Sequence, residues 1–521
     1  MSSPVSNVGR KMDIKNIVIN TNIDLDTFMS IVRDKNSVLF SDDYVNRVNK
    51  SRNLIENWVS ENRVIYGVTT GFGANSTRTI SLQDAEKLQK NIIISHSTSV
   101  GKPMSEEEVR ATMLMVLLNM GSGYSGVRID TLERYRVFLN LGIYPFAPKE
   151  GSVGYLSPEA HIAMAIIGEG KVFIGNNLVN TKVDIFQTGL DKKYKLSYKE
   201  GLALVSGTTS VTGMACLALF DIIKAVKTAD VISAMTIEVS KSTLRAFDER
   251  VMLVRGHESQ IKTAENIRNI LMDSEICKKY YNFRLQDALS IRCIPQLHGA
   301  AKKTLYDAKI TLEKEMNSST DNPVIWHNED DSDVISCGNP DSSFVGMEMD
   351  SVAIAATAVA KMSERRNNRL IDGNLSGNPW FLIKNPGLNS GLMIPQYTQA
   401  GLLNDMRILS TPSTIDNTPT CGNQEDYVAN GYNSSKKAIE IAEKLEYILA
   451  IELLSAYQSY QFLGDELKKS IVTDAIYKEI GKYIPILNED EYLYPYIEKL
   501  KDMIHSGEIL RIAEEKIGKI Y

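Results

Sequence analysis

Apolar residues recur at helical spacing along most of this chain. Over Asp43 to Ser60, 82–97, 104–122 and 128–142 they return every three or four positions, as in helices with one buried stripe. A longer apolar helix is expected from Lys199 through Ala234, and the same period returns over 258–275, 298–317, 348–370, 433–466 and 497–519. Several of these exceed the usual globular helix of about 10–14 residues, and such helices in one chain predict a bundle. Short apolar runs suit strands at Ile17-Val18-Ile19 and Val38-Leu39-Phe40, and Lys171 to Gly175 followed by Asn176-Asn177 reads as a hairpin. The expected fold class is mainly α. A smaller N-terminal portion, 1–210, precedes a portion of long helices, 211–521.

Composition narrows the class. The 521 residues include only 15 prolines and carry a net charge of −6. Charges of both signs are interspersed, which gives no electrostatic case for nucleic acid. Five cysteines (Cys216, Cys277, Cys293, Cys337 and Cys421) lie far apart, with no C-x-x-C pair and no zinc spacing. A reducing compartment and no metal site follow. The first ten residues lack an apolar signal core, and no apolar run reads as long enough to cross a bilayer. The expectation is a cytoplasmic protein with neither membrane nor nucleic acid as partner.

Candidate chemistry sits in the loops. Gly151-Ser152-Val153-Gly154-Tyr155-Leu156 runs into Ser157-Pro158-Glu159, which reads as a helix start with Ser157 as N-cap and proline in the first turn. Tyr66-Gly67-Val68-Thr69-Thr70-Gly71-Phe72-Gly73 places one phenol in a loop of unusual backbone angles. His96 closes the apolar stripe of 82–97. Gln286 and Arg292 lie six residues apart, and the planar guanidinium suits a carboxylate. Glu425, in Gly422-Asn423-Gln424-Glu425-Asp426, is a candidate acid or base. Taken singly, each is an ordinary loop or polar cluster.

Taken together, these segments resemble the aromatic amino-acid ammonia-lyases and aminomutases. The resemblance rests on the Tyr66 loop, Ser95-His96, Gly151-Ser-Val-Gly154, Lys199-Glu-Gly-Leu-Ala-Leu, Gln286-Asp, Arg292-Cys, Asn317-Ser-Ser-Thr-Asp-Asn-Pro323, Gly338-Asn339 and Asn423-Gln-Glu-Asp426. It implies an ammonia-lyase-like fold with a central bundle of long helices. It also implies homotetramers whose active sites take residues from more than one subunit, and a small amino acid or related carboxylate as substrate. By the same resemblance Tyr66 is the base that takes the β-proton, Arg292 clamps the carboxylate, and Gln286 lies in the same pocket. His96 and Glu425 match positions that favour an imidazole, which makes the histidine enzymes the nearest branch.

The family makes its own electrophile, methylidene-imidazolone (MIO), by cyclising an Ala-Ser-Gly tripeptide. In this chain Gly154 is followed directly by Tyr155, without that tripeptide. Neighbouring positions differ too. Ser206, counted here with the substrate-binding residues, replaces an asparagine that supports the electrophile, and Leu289 replaces a tyrosine. The expectation drawn is an enzyme with no cofactor, catalysing elimination, conjugate addition or isomerisation with Tyr66 as acid or base. Two alternatives stand beside it. One is a conventional MIO-dependent lyase or aminomutase whose tripeptide is missing from the written sequence. The other is a binding or scaffold protein without chemistry.

Overall fold

Among the described residues, strands pair only in sheets of two or three. The two N-terminal apolar runs form the strands Asn16–Ile19 and Ser37–Phe40, which pair in parallel. Lys171–Ile174 and Asn177–Asn180 make the expected hairpin, and Ile143–Pro145 adds a third strand to it. Helices dominate the remainder of the computed structural model, which describes residues 14–20, 22–181, 194–328, 330–464 and 466–521. The mainly α class is thus realised.

The helices follow the apolar period, with breaks where single residues forbid continuation. The run opened by Lys199 is two helices, Glu200–Val205 and Thr209–Val239, because Gly207 lies between them at φ +93°. A Cβ there would stand 2.8 Å from both Asn119 Nδ2 and Thr320 Oγ1, so only glycine fits the bend. The stretch 497–519 likewise divides into Tyr494–His505 and Glu508–Ile517 at Gly507, φ +76°. Elements absent from the sequence reading are the helices Met393–Leu409 and Ile471–Ile480, and a hairpin of Val324–His327 with Ser332–Ile335.

The chain packs as two units. The first comprises residues up to Leu217, Thr311–Gly346 and Thr414–Asn433; the second comprises Ala218–Ile310, Met347–Ser413 and Ser434–Tyr521. At the centre of the first, the helix Glu106–Gly121 is buried on all sides and begins with a reciprocal Ser105–Glu108 capping box. Lys199 and Asp321 form a wholly buried ion pair there at 2.6 Å. In the second unit, buried Arg366 makes two bonds to Glu452, at 2.6 and 2.8 Å, and Asp230 gathers His298, Lys302 and Asn266.

Two stretches, Glu200–Val239 and Ser343–Ile371, are long and apolar enough by composition to span a bilayer, contrary to the reading of the sequence. The apolar window of the first is buried throughout, as in the core helix of a folded unit, and that of the second is about half buried. All five cysteines are free thiols.

Candidate active site

The Tyr66 loop is folded by its own threonines. Ile65 N–H donates to Thr69 Oγ1 at 2.8 Å and Gly67 N–H to Thr70 Oγ1 at 3.1 Å. Gly67 holds φ +66°, and a Cβ on it would come within 2.3 Å of Leu202 Cδ2. Wholly buried Gln89 ties the same turn to the helix Glu200–Val205: its Nε2 donates to Gly67 O at 3.0 Å, and its Oε1 accepts from Leu202 N at 3.2 Å. The result is a half-buried phenol whose oxygen accepts from Gly73 N–H at 3.1 Å.

Against this loop lies the segment carrying Glu425. Cys421, Gly422 and Asn423 all have positive φ (52°, 65° and 65°), and two of them are not glycine. Strain of this kind, of order 1–3 kcal/mol per residue, is characteristic of functional segments. Thr420 N–H closes the turn on Glu425 O at 2.8 Å. The turn presses Cys421 Sγ so close to Gly73 that a Cβ there would lie 2.4 Å from the sulfur. A hydrogen bond to the Glu425 side chain pushes the Cys421 thiol up, partly offset by one from the Ala74 backbone. The phenol oxygen and the thiol therefore sit on successive amides, Gly73 and Ala74. Glu425 Oε2 is buried without a hydrogen-bond partner among the described residues.

Tyr155 joins the same group. Burial pushes its phenol up to about 12, with further increments from Glu425, Tyr66, Cys421 and Asp341. Ser152 Oγ donates to Tyr155 O at 3.1 Å and accepts from Gly154 N–H at 3.4 Å, so the loop turns around that serine. Leu156, at φ 84°, is the residue before the helix Ser157–Ile166, and Ser157 is its first member rather than its N-cap. The Ser157 hydroxyl instead accepts from Thr98 N–H at 3.1 Å and from Ser99 Oγ at 2.9 Å.

Those contacts anchor the chain just beyond His96, the last residue of the helix Leu82–His96. His96 Nδ1 lies 3.0 Å from Ser95 Oγ, and burial lowers the affinity of the ring for a proton. Burial does the same to His161, whose Nε2 is buried with no partner among the described residues. Lowered imidazole pKa values mean that the unfolded chain binds protons before the folded one as pH falls. Thermal stability is therefore expected to drop as pH falls below the unperturbed histidine value of about 6.5. In melting curves taken across this range, His161→Gln should flatten the drop, and an unchanged slope would remove His161 from the account.

Ser206 is buried and ends the helix that Gln89 ties to the Tyr66 turn. Tyr66 and Glu425 thus meet around Tyr155, while His96 and Ser206 stand on elements fastened to the same loops. Gln286 and Arg292 belong to the second unit, where they pair. With its oxygen turned to the guanidinium, the Gln286 amide accepts from Arg292 Nε at 3.2 Å and Nη2 at 2.7 Å. Arg292 is half-buried and Gln286 exposed. Sequence reading did not single out Gln89, nor Tyr155, Asp341 and Cys421 as members of the site; Asp341, in Pro340-Asp341-Ser342, stood out only as a departure from the family pattern. Tyr155 entered it only as a departure from a pattern, and Cys421 directly precedes the quoted Gly422-Asn423.

Known proteins resemble the chain in sequence and in fold. The family model "Aromatic amino acid lyase" matches residues 23–482. A histidine ammonia-lyase from Caldanaerobacter subterraneus subsp. tengcongensis is 39% identical over 507 residues, covering 96% of this chain and 99% of its own. The crystal structure of histidine ammonia-lyase from Trypanosoma cruzi superposes with TM-score 0.90 at 30% identity, covering 96% of both chains. Ergothionase from Treponema denticola, an ergothioneine-degrading enzyme, superposes with TM-score 0.87 at 28% identity, covering 95% of this chain and 100% of its own.

These likenesses correct the expectation that the enzyme needs no cofactor. That expectation rested on the missing tripeptide and on changed neighbours such as Ser206 and Leu289. The family match and the relatives named histidine ammonia-lyase overturn it, because MIO is the cofactor of that family. The residues present at the loop do not by themselves make up the group: Gly154 is joined to Tyr155, and Ser152 is engaged at both. With a family model spanning most of its length and a relative 39% identical from end to end, this chain belongs to the aromatic amino acid lyase family.

Proposed function

We propose that the protein is a carbon–nitrogen lyase for a histidine-like amino acid, with Tyr66 taking the β-proton. In this elimination the C–H electron pair becomes the Cα=Cβ bond. The C–N bond breaks, and the amine departs with its pair, leaving an α,β-unsaturated carboxylate. The observation that carries the reading is the Tyr66 oxygen held on Gly73 N–H beside Tyr155 and the buried, unpartnered Glu425 Oε2. A carboxylate and a nearly neutral imidazole at His96 suit a polar, nitrogen-bearing ring better than a phenyl ring. Arg292, already oriented by Gln286, is assigned the substrate carboxylate. In the family, active sites take residues from more than one subunit, and a homotetramer is proposed here on the same ground. Met347, Ile354 and Ile408, exposed on Ser343–Ile371 and Met393–Leu409, supply apolar surface for self-association. Unpaired thiols throughout fit a cytoplasmic site of action.

The test is a panel of L-histidine, L-phenylalanine, L-tyrosine and ergothioneine, read by near-ultraviolet absorbance of the conjugated product and by amine release. An imidazole-bearing substrate is expected to turn over fastest. Turnover of the phenyl compounds alone would refute the assignment of His96 and Glu425. Arg292→Lys is expected to raise KM more than it lowers kcat, because a point charge replaces a two-pronged clamp.

A further inference from the structure

The second unit contains a cavity of about 560 Å³ built by the helices Met393–Leu409, Gly431–Ser459 and Tyr494–His505. None of its residues has a part in the elimination proposed above. Ile394, Leu402 and Ile497 give it an apolar lining, and Tyr447, Tyr492 and Tyr494 add aromatic walls. The rings of Tyr492 and Tyr494 lie 6.0 Å apart at 30° to each other.

Every charged residue lining the cavity is acidic: Asp490, Glu491 and Glu498. All three are held by neutral donors. Tyr447 Oη donates to both Glu498 oxygens, at 2.9 and 3.1 Å. The backbone amides of Ser390 and Gly391 donate to Asp490 at 2.7–3.0 Å, and Tyr496 Oη donates to Glu491 at 2.5 Å. Glu498 pushes the Tyr494 phenol up, and burial together with Glu498 does so for Tyr447. Both phenols therefore stay protonated at neutral pH. Lys501 Nζ stands 5.7 Å from the Tyr447 ring centroid.

We infer that this cavity binds a small organic ammonium ion with an aromatic or aliphatic body. The fixed carboxylates, which make no ion pair among the described residues, supply the charge, and the tyrosine faces attract a cation through their quadrupoles. An inorganic cation would leave the apolar lining unused, and an anion would meet three negative charges.

Benzyltrimethylammonium is the probe, titrated calorimetrically into the full-length protein beside neutral benzyl alcohol and anionic benzoate. Saturable binding is expected with Kd of about 0.1–1 mM, the range open to a ligand of this size. Benzyl alcohol should bind about tenfold more weakly and benzoate not at all, and added salt should weaken the cation. Glu498→Gln should reduce affinity about tenfold, and Leu402→Trp, which fills the cavity, should abolish binding, both without change in lyase activity. Absence of saturable binding at about 10 mM, equal binding of benzoate, or full affinity in both variants would overturn the inference. So would dissociation of the assembly on adding the probe, seen by sedimentation, which would assign the cavity to a neighbouring copy of the chain. Ligand ranking and salt dependence are read on the unaltered protein, so the outcome stands even where a variant folds poorly.

Discussion

Tyr66→Phe is expected to lower kcat by about 10²–10⁴-fold, the usual worth of a positioned acid–base group, while KM changes little. The substitution removes one oxygen and leaves the ring. The loop that carries the ring is fixed independently, by Thr69 and Thr70 within it and by Gln89 from the neighbouring helix. What the variant loses structurally is the bond from Gly73 N–H, worth about 0.5–1.5 kcal/mol net. A fall in kcat with an unchanged melting temperature and an unchanged Kd for a non-reacting substrate analogue would therefore locate the loss in proton transfer. Equal activity in the two forms would refute the role of Tyr66, and a parallel rise in KM would make it a binding residue.

The same loop shows how far sequence reaches. Its glycines and threonines announced unusual backbone angles, because a positive φ at Gly67 and hydroxyl groups on the adjacent Thr69 and Thr70 leave a compositional mark. Gln89 leaves none. It sits within an amphipathic helix, and its role depends on a turn 22 residues before it and a helix 113 residues after it. Tyr155 and Cys421 stayed out of the site for the same reason: their neighbours Glu425 and Gly73 are remote in sequence. Helical period fixed the number and rough limits of most helices, since each buried stripe repeats locally. It overran at Gly207 and Gly507, where one left-handed residue ends an otherwise continuous pattern. Ser157 was legible as the start of a helix but not as the acceptor of bonds from Thr98 and Ser99, which come from another segment. The written chain runs from Gly154 straight to Tyr155, and the inference from that junction to a cofactor-free enzyme is the step that family membership overturns.

Lys199→Met is expected to produce the largest loss of stability among single substitutions in the first unit, about 3–5 kcal/mol. Lys199 and Asp321 are both fully buried, and Lys199 Nζ donates to Asp321 Oδ2 at 2.6 Å, with the Asn322 carbonyl 3.5 Å away. Burial lowers the affinity of the lysine for its proton, and the charge of Asp321 opposes that shift. Removing the ammonium leaves a carboxylate in a dry interior with its counter-charge gone. Removing both charges is less damaging, because the desolvation penalty disappears along with the attraction. Lys199→Met/Asp321→Leu should accordingly recover much of the stability lost in the single variant. Backbone strain at residue 199, which lies at φ 71°, is the same for lysine and methionine and cancels from the comparison. Urea unfolding of the two variants beside the unaltered protein decides the matter. If the double variant is as unstable as the single one, the loss comes from packing at residue 199, and an unpaired charge is not its cause.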